Sequence, residues 1–134
     1  MERLAERLGV ARHALGTFRD VLREPKTPVT RDASIQRFEY TYEAVWKAAQ
    51  LYLRAGEKLS LASPAAVTRA CFQAAVLNED QSRTAMDMLR DRNLTLHTYN
   101  EELADQIYSR LPGYAVLMEQ WLEAMSGQPT FDLT

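Results

Sequence analysis

Apolar residues recur every three or four positions along most of the chain, the repeat that places them on one face of an α-helix. The first such seam consists of Leu4, Leu8, Ala11, Leu15, Phe18 and Leu22. Pro25 and Pro28 interrupt the pattern, because proline cannot continue a helix interior. Either Thr27, placed before Pro28, or Thr30 is suited to cap the helix that follows. The pattern therefore predicts one long helix, a break, and a second helix.

The second helix is predicted from about Arg31 to Ala55, with its end near Gly56. Its apolar stripe contains Ile35, Phe38, Tyr42, Val45, Ala49 and Tyr52, with Trp46 at the margin. Ser63 before Pro64 is a favourable start for a third helix, which we expect to continue to about Leu77.

Asn78 separates the third helix from a fourth that begins near Glu79. Asn100 is suited to cap a fifth, since Glu101 and Glu102 then lie in its first turn, where the helix dipole favours negative charge. The fifth stripe contains Leu103, Ile107, Leu111, Tyr114, Leu117, Trp121 and Met125. Pro112 and Gly113 are expected to kink or split this helix.

No segment shows the alternation of a strand, so the fold class is all-α, an antiparallel four- to five-helix up-and-down bundle. The 134 residues suffice for one domain, predicted to span residues 1–126, with a C-terminal tail at 127–134. A helical bundle does not by itself specify a function.

The composition is that of a globular protein, with 46% hydrophobic and 25% charged residues. The net charge of −2 argues against nucleic-acid binding through overall charge but allows a local basic patch. Candidates for such a patch are Arg31, Arg37, Arg83, Arg90, Arg92 and Arg110, although most of them could simply be solvated. The single Cys71 excludes an internal disulfide and is expected in the core. With no signal-like or membrane-length apolar run, we expect a soluble, cytoplasmic domain without a membrane partner.

Glu39 falls between apolar stripe positions of the second helix, where an unpaired carboxylate would be costly. One interpretation is that it approaches Arg92 or another buried arginine. The alternative is that it lies at the stripe margin and reaches water or a neighbour on its own helix. Glu43 and Lys47 have the spacing of an ordinary i,i+4 surface pair.

A second polar interruption lies in residues 91–99, which read DRNLTLHTY. Asn93 and His97 continue the side of the fourth helix that carries Met86 and Leu89, and Arg92 is adjacent. On an unbroken helix, Arg92 and His97 would point roughly 140° apart. Either the helix ends before His97, or an arginine and a histidine from two chains combine across a twofold interface.

Histidine can accept and donate a proton near neutral pH, and arginine presents forked donors suited to phosphate oxygens. Together they suffice for cleavage of RNA by the neighbouring 2′-hydroxyl without a metal. The sequence has no His, Cys, Asp or Glu cluster with metal-ligand spacing and no glycine-rich phosphate loop. We therefore expect neither a protein-bound metal nor a cofactor.

Two stretches, RDASIQRFEYTYEAVWK (31–47) and MLRDRNLTLHTYNEELADQIY (88–108), resemble the HEPN-domain proteins that accompany minimal nucleotidyltransferases. These proteins are also described as nucleotidyltransferase substrate-binding subunits. The mark of this group is Arg, four residues, His, one residue and Tyr, matched here by Arg92, His97 and Tyr99. The resemblance extends from about Leu4 to Trp121.

The resemblance implies the toxin of a toxin–antitoxin pair, a metal-independent endoribonuclease active as a homodimer on RNA. Arg92 and His97 would be catalytic, with Asn93 and Glu39 in support. A separate minimal nucleotidyltransferase would be the antitoxin and would add AMP to Tyr99. The main alternative is a non-catalytic subunit that presents a nucleotide or polymer to that enzyme. A weaker one is a purely structural dimeric adaptor.

Overall fold

A computed structural model of the protein describes residues 2–127, and the elements of this part are all helical. The helices are α1 (Glu2–Leu22), α2 (Pro28–Gly56), α3 (Pro64–Gln73), α4 (Glu79–Leu94) and α5 (Glu101–Ser126), with a 3₁₀ turn at Thr95–His97. The predicted all-α bundle is confirmed. Apart from Gly127, the predicted tail at 127–134 lies outside the described residues, so its boundary stays a prediction.

The four long helices α1, α2, α4 and α5 form the bundle. Contacts to α5 show in which direction each of the other long helices runs. Arg31 of α2 contacts Asp105, and the later Phe38 stacks on the later Tyr114 with ring centroids 5.5 Å apart. Helices α2 and α5 are therefore parallel. Helix α4 runs the opposite way, since Gln81 contacts Gln120 whereas Asp91 contacts Arg110. Helix α1 does the same, since Arg19 contacts Ala115 whereas the earlier Arg12 shares a groove with Glu123. The short α3 packs against α2 and α4 and completes the connection between them.

The predicted helix starts are capped by the expected side chains. Thr27 Oγ1 accepts from the Thr30 amide at 3.0 Å, and Thr30 Oγ1 accepts from the Thr27 amide at 2.8 Å, so both threonines take part. With Pro28 in the first turn, α2 begins three residues earlier than expected. Ser63 and Asn100 also accept from amides three residues on, which satisfies donors that have no partner inside the helix.

Helix α3 ends at Gln73, four residues before its predicted end. Ala75 takes a left-handed conformation with φ 63°, which stops the helix in the way that glycine usually does. The amides of Val76 and Leu77 then turn back to the Cys71 carbonyl, at 2.8 and 3.2 Å. The turn also buries Leu77. An alanine gives no sequence signal for this conformation.

Of the kink or split expected at Pro112 and Gly113, the split is wrong, because α5 is continuous from Glu101 to Ser126. Pro112 and Gly113 are both exposed, so the carbonyl that loses its partner at the proline lies on the solvated side of the helix.

The core lies between α1, α2, α4 and α5. Its largest fully buried side chains include Phe18, Phe38, Tyr42, Met88, Ile107, Leu111, Met118 and Trp121. Cys71 is fully buried as expected, and burial raises the pKa of its thiol to about 11. In the described part of the chain, no helix is long and apolar enough to cross a membrane.

Candidate functional site

The stretch 91–99 spans the end of α4 and the turn that follows. The α-helix ends at Leu94, and Thr95–His97 form one turn of 3₁₀-helix. Thr95 Oγ1 donates to the Arg92 carbonyl at 2.7 Å, and Thr98 Oγ1 donates to the Thr95 carbonyl at 3.0 Å. The Arg92 carbonyl also accepts from the Thr95 amide, so the hydroxyls add further hydrogen bonds at the helix end and fix the path of the turn.

Arg92 points from α4 towards α2. Its Nη2 donates to Oε1 of Glu43 at 2.5 Å, and its guanidinium lies 5.9 Å from the ring centroid of Tyr42. Nη1 also donates to Oδ1 of Asn93 at 3.4 Å, which brings the predicted supporting asparagine to the arginine. The Arg92 side chain is 30% exposed, so one part of the guanidinium remains open to a ligand.

Glu43 is a residue of this site that the sequence did not indicate. It makes the expected i,i+4 pair with Lys47, at 3.7 Å, and in addition bridges to Arg92 across the two helices. Its spacing from Lys47 offered a sufficient local explanation, and only the packing of α4 on α2 adds the second partner.

Glu39 lies one turn before Glu43 on α2 and is half-buried. Glu39 was expected to approach Arg92 or another buried arginine. It forms no ion pair within residues 2–127, where Arg92 is paired with Glu43. Glu39 does line the same groove as Arg92. Its half-buried position is that of a residue at the margin of the stripe.

His97 and Tyr99 lie side by side on the surface. Nδ1 of His97 is 3.3 Å from the Tyr99 hydroxyl, and the two rings meet edge to face with centroids 5.9 Å apart. Tyr99 is 82% exposed, and the neighbouring Leu96 is 80% exposed. The turn thus presents an imidazole, a phenol and an apolar side chain together.

Arg92 and His97 diverge even though the α-helix ends between them. Two α-helical steps and three 3₁₀ steps rotate the chain by roughly 560°, which leaves the side chains roughly 160° apart. Arg92 accordingly faces α2, whereas His97 is exposed. No hydrogen bond joins them in the described residues. Of the two alternatives, the helix does end before His97, but this ending does not bring the two groups together within one chain.

The face of α4 that packs into the core differs from the predicted one. Met86 and Leu89 are only half-buried, and Asn93 and His97 are exposed. The buried positions are Ala85, Met88, Asp91 and Thr95. Asn93 and His97 are therefore surface groups rather than polar interruptions of the core.

Asp91 is the polar interruption that the sequence analysis missed. It is fully buried, accepts from Nε and Nη2 of Arg110 at 2.7 and 3.0 Å, and accepts from the Tyr114 hydroxyl at 2.6 Å. The carboxylate raises the pKa of Arg110, while burial raises that of Tyr114. The signal for Asp91 was its position three residues after Met88 on the stripe that begins at Ala85.

The arginines considered for a basic patch are mostly engaged. Ion pairs hold Arg31, Arg83, Arg90, Arg92 and Arg110. Arg37 donates to the Thr17 carbonyl at 2.8 Å. Within residues 2–127, no group of three or more His, Cys, Asp or Glu side chains is placed to hold a metal ion.

A groove of about 450 Å³ runs beside the arginine. One wall is a single face of α2, formed by Gln36, Glu39, Tyr40 and Glu43, and Arg92 of α4 forms the other. The groove is open to solvent and combines carboxylates, an amide, an aromatic ring and a guanidinium.

Comparison with known proteins identifies the fold as a HEPN-type helical bundle. The tri-AMPylated HEPN toxin of Shewanella oneidensis, in complex with MNT antitoxin, is 15% identical with a TM-score of 0.77, covering 93% of this chain and 97% of that chain. A mutant of the toxin–antitoxin MntA–HpeT is 14% identical with a TM-score of 0.79, covering 96% and 100%.

A Thermus thermophilus protein of known crystal structure is 51% identical with a TM-score of 0.83, covering 86% of this chain and 98% of that chain. Residues 6–127 match the family described as "nucleotidyltransferase substrate binding protein like", and the chain belongs to that family. No curated protein matches this sequence. The resemblance inferred from the two sequence stretches is thus confirmed.

Proposed function

We propose that the protein is a HEPN-family toxin, a metal-independent endoribonuclease that acts as a homodimer. The observation that carries this proposal is the surface turn after Arg92, on which His97 and Tyr99 are exposed and adjacent. An imidazole for proton transfer and a guanidinium for charge stabilisation are the minimum that such a reaction requires. His97 and Arg92 supply these two groups, although they diverge within one chain.

In the proposed reaction, the 2′-oxygen of one nucleotide attacks the adjacent phosphorus, and the 5′-oxygen of the next nucleotide leaves. His97 accepts the proton of the 2′-hydroxyl, and the leaving oxygen receives a proton from the partner subunit's His97. Arg92 binds the phosphate and stabilises the charge that develops on its oxygens. The divergence of Arg92 and His97 within one chain supports a site completed across a twofold axis.

Regulation is proposed to act through Tyr99. A minimal nucleotidyltransferase would direct the Tyr99 hydroxyl to the α-phosphorus of ATP, so that AMP is transferred and pyrophosphate leaves. The accessibility of the phenol supports this step, and the hydroxyl lies 3.3 Å from His97. An anionic adduct there would cover the imidazole and repel RNA phosphates.

Expression of the chain without a nucleotidyltransferase tests the nuclease. Wild type is expected to arrest growth and fragment RNA, whereas His97→Ala is expected to do neither, because the proton acceptor is lost. Equal growth and equal RNA profiles for the two proteins would contradict the proposal.

Mass spectrometry of Tyr99 peptides after incubation with the partner and ATP tests the regulation. One or more added AMP units are expected on wild type. The Tyr99→Phe variant is the matched control, since it keeps the ring and lacks the hydroxyl. An unmodified wild-type peptide would remove the antitoxin part of the proposal.

A second candidate function is a non-catalytic subunit that binds a nucleotide for the nucleotidyltransferase. The ion pair between Arg92 and Glu43 favours it, because part of the charge that a nuclease would need is already neutralised. This function predicts nucleotide-dependent association with the partner and no RNA turnover by either wild type or His97→Ala.

A further inference from the structure

We propose that the groove formed by Gln36, Glu39, Tyr40, Glu43 and Arg92 is a subsite for a nucleobase that carries an exocyclic amino group. The inference rests on the proposed function in one respect, that Arg92 binds the phosphate attached to that base. It applies to an RNA strand and to a free nucleotide alike, since both present the same base edge.

The polar groups on the α2 wall are available to a ligand. Gln36 and Glu39 have no hydrogen-bond or ion-pair partner in the described part of the chain, although Glu39 is half-buried. Glu43, one turn further on, is already engaged with Arg92 and Lys47. A half-buried carboxylate without a cation can accept hydrogen bonds from the N–H donors of a ligand.

Tyr40 supplies an aromatic surface in the same groove. It is 44% exposed, and its hydroxyl is held 2.9 Å from Oγ1 of Thr17 on α1. This hydrogen bond fixes the far end of the side chain and so orients the ring. Single-stranded nucleic acids are commonly bound by stacking of bases on such rings.

The charges of the groove select the base rather than the sugar–phosphate backbone. Two carboxylates, Glu39 and Glu43, line it against the single guanidinium of Arg92, so a run of phosphates would be repelled. A base that offers an amino group to Glu39 would be attracted, as carboxylates accept from the amine of cytosine. Uracil has carbonyl oxygens where the other bases carry the amine, so it should bind least well.

The test measures binding by the full-length His97→Ala protein, which separates affinity from turnover. Fluorescence anisotropy would compare short oligoadenylate, oligocytidylate and oligouridylate, with AMP and UMP as mononucleotide probes. Adenylate and cytidylate are expected to bind at least about tenfold more tightly than uridylate, the effect of one hydrogen bond to a charged group.

Glu39→Gln in the same background is expected to reduce this preference to less than about twofold, since an amide can serve either a donor or an acceptor. The matched control is Glu123→Gln, a half-buried glutamate in a different groove between α1 and α5, which should keep the preference. Tyr40→Ala should weaken all probes about 5- to 100-fold, and Tyr40→Phe should retain more of the affinity because it keeps the ring.

Equal affinity for uridylate and adenylate, or an unchanged preference in Glu39→Gln, would overturn the proposal. If only the oligomers bind tightly, the proposal is supported and RNA is the source of the base. If AMP binds equally tightly, the proposal is supported and a free nucleotide is the source. Cleavage by the His97-intact protein is a separate readout, so a failed nuclease and a failed base subsite are distinguishable.

Discussion

Arg92 reaches its place in the site through a carboxylate of the same chain. The ion pair with Glu43 and the ring of Tyr42 hold the guanidinium against α2, in a position that a flexible surface arginine would not keep. A phosphate that binds Arg92 must therefore share it with Glu43 or displace the carboxylate. The ion pair therefore positions the guanidinium of Arg92 and also neutralises part of its positive charge.

We expect the Glu43–Arg92 pair to be energetically coupled. Because both side chains are only 30–38% exposed, a double-mutant cycle of Glu43→Gln and Arg92→Gln should give about 0.5–1 kcal/mol of coupling in urea unfolding. The matched control is Glu79–Arg83, whose side chains are 68–74% exposed and should couple less. Equal coupling in the two cycles would contradict the positioning role.

At the level of elements, the end of α4 is anchored to α5 by the residue before Arg92. Asp91 receives three hydrogen bonds from Arg110 and Tyr114, and it lies on the buried face of α4. Since adjacent helical residues point in different directions, Asp91 faces α5 while Arg92 faces α2. Polar contacts to two different helices fix the last turn of α4 before the exposed 3₁₀ turn.

Replacement of Asp91 by Asn should destabilise the protein by about 2 kcal/mol, because a buried carboxylate that serves a guanidinium and a phenol is replaced by a neutral amide. Chemical denaturation measures this change. Asp87→Asn is the matched control one turn earlier, where the carboxylate pairs with the exposed Arg90 and should contribute little. Similar losses of stability in the two variants would show that the buried network is not an anchor.

At the scale of the whole molecule, a network of charged side chains joins the first turns of α2 and α5 at one end of the bundle. Arg31 is buried and contacts Asp32, Glu101 and Asp105, and Lys26 contacts Asp105 from the preceding loop. Lys26, followed by Arg31, holds the pKa of Asp105 below its ordinary value. The network closes the end of the bundle where α2 and α5 begin.

The lowered pKa predicts a pH dependence of stability. A carboxyl whose pKa is lower in the folded state stabilises the protein above its unfolded pKa of about 3.9, and this contribution is lost as the pH falls through the lowered value. Asp105→Asn should therefore be less stable than wild type at pH 7, with the difference shrinking below about pH 4. Asp20→Asn, whose partner Arg23 is exposed, should show little difference at either pH. A difference for Asp105→Asn that is independent of pH would contradict this assignment.

The sequence by itself determined the helical class, most helix starts and the location of the candidate site in the stretch from Arg92 to Tyr99. Caps and apolar spacing are local properties, so Thr27, Ser63 and Asn100 could be assigned without a fold. The left-handed Ala75 could not, because its conformation follows from the burial of Leu77 rather than from an intrinsic preference of alanine.

Tertiary structure alone decided which polar residues meet. The choice of Glu43 over Glu39 as the partner of Arg92 depends on how α4 crosses α2, a difference of one helical turn. The sequence pattern predicts Asn93 and His97 on an apolar face of α4. The packing of α4 instead exposes both residues and buries Asp91 in the core. Sequence periodicity locates a stripe to within about one residue, about 100° of rotation on a helix. Only packing against neighbouring helices removes that uncertainty, which is why the candidate site could be located from the sequence while its contacts could not.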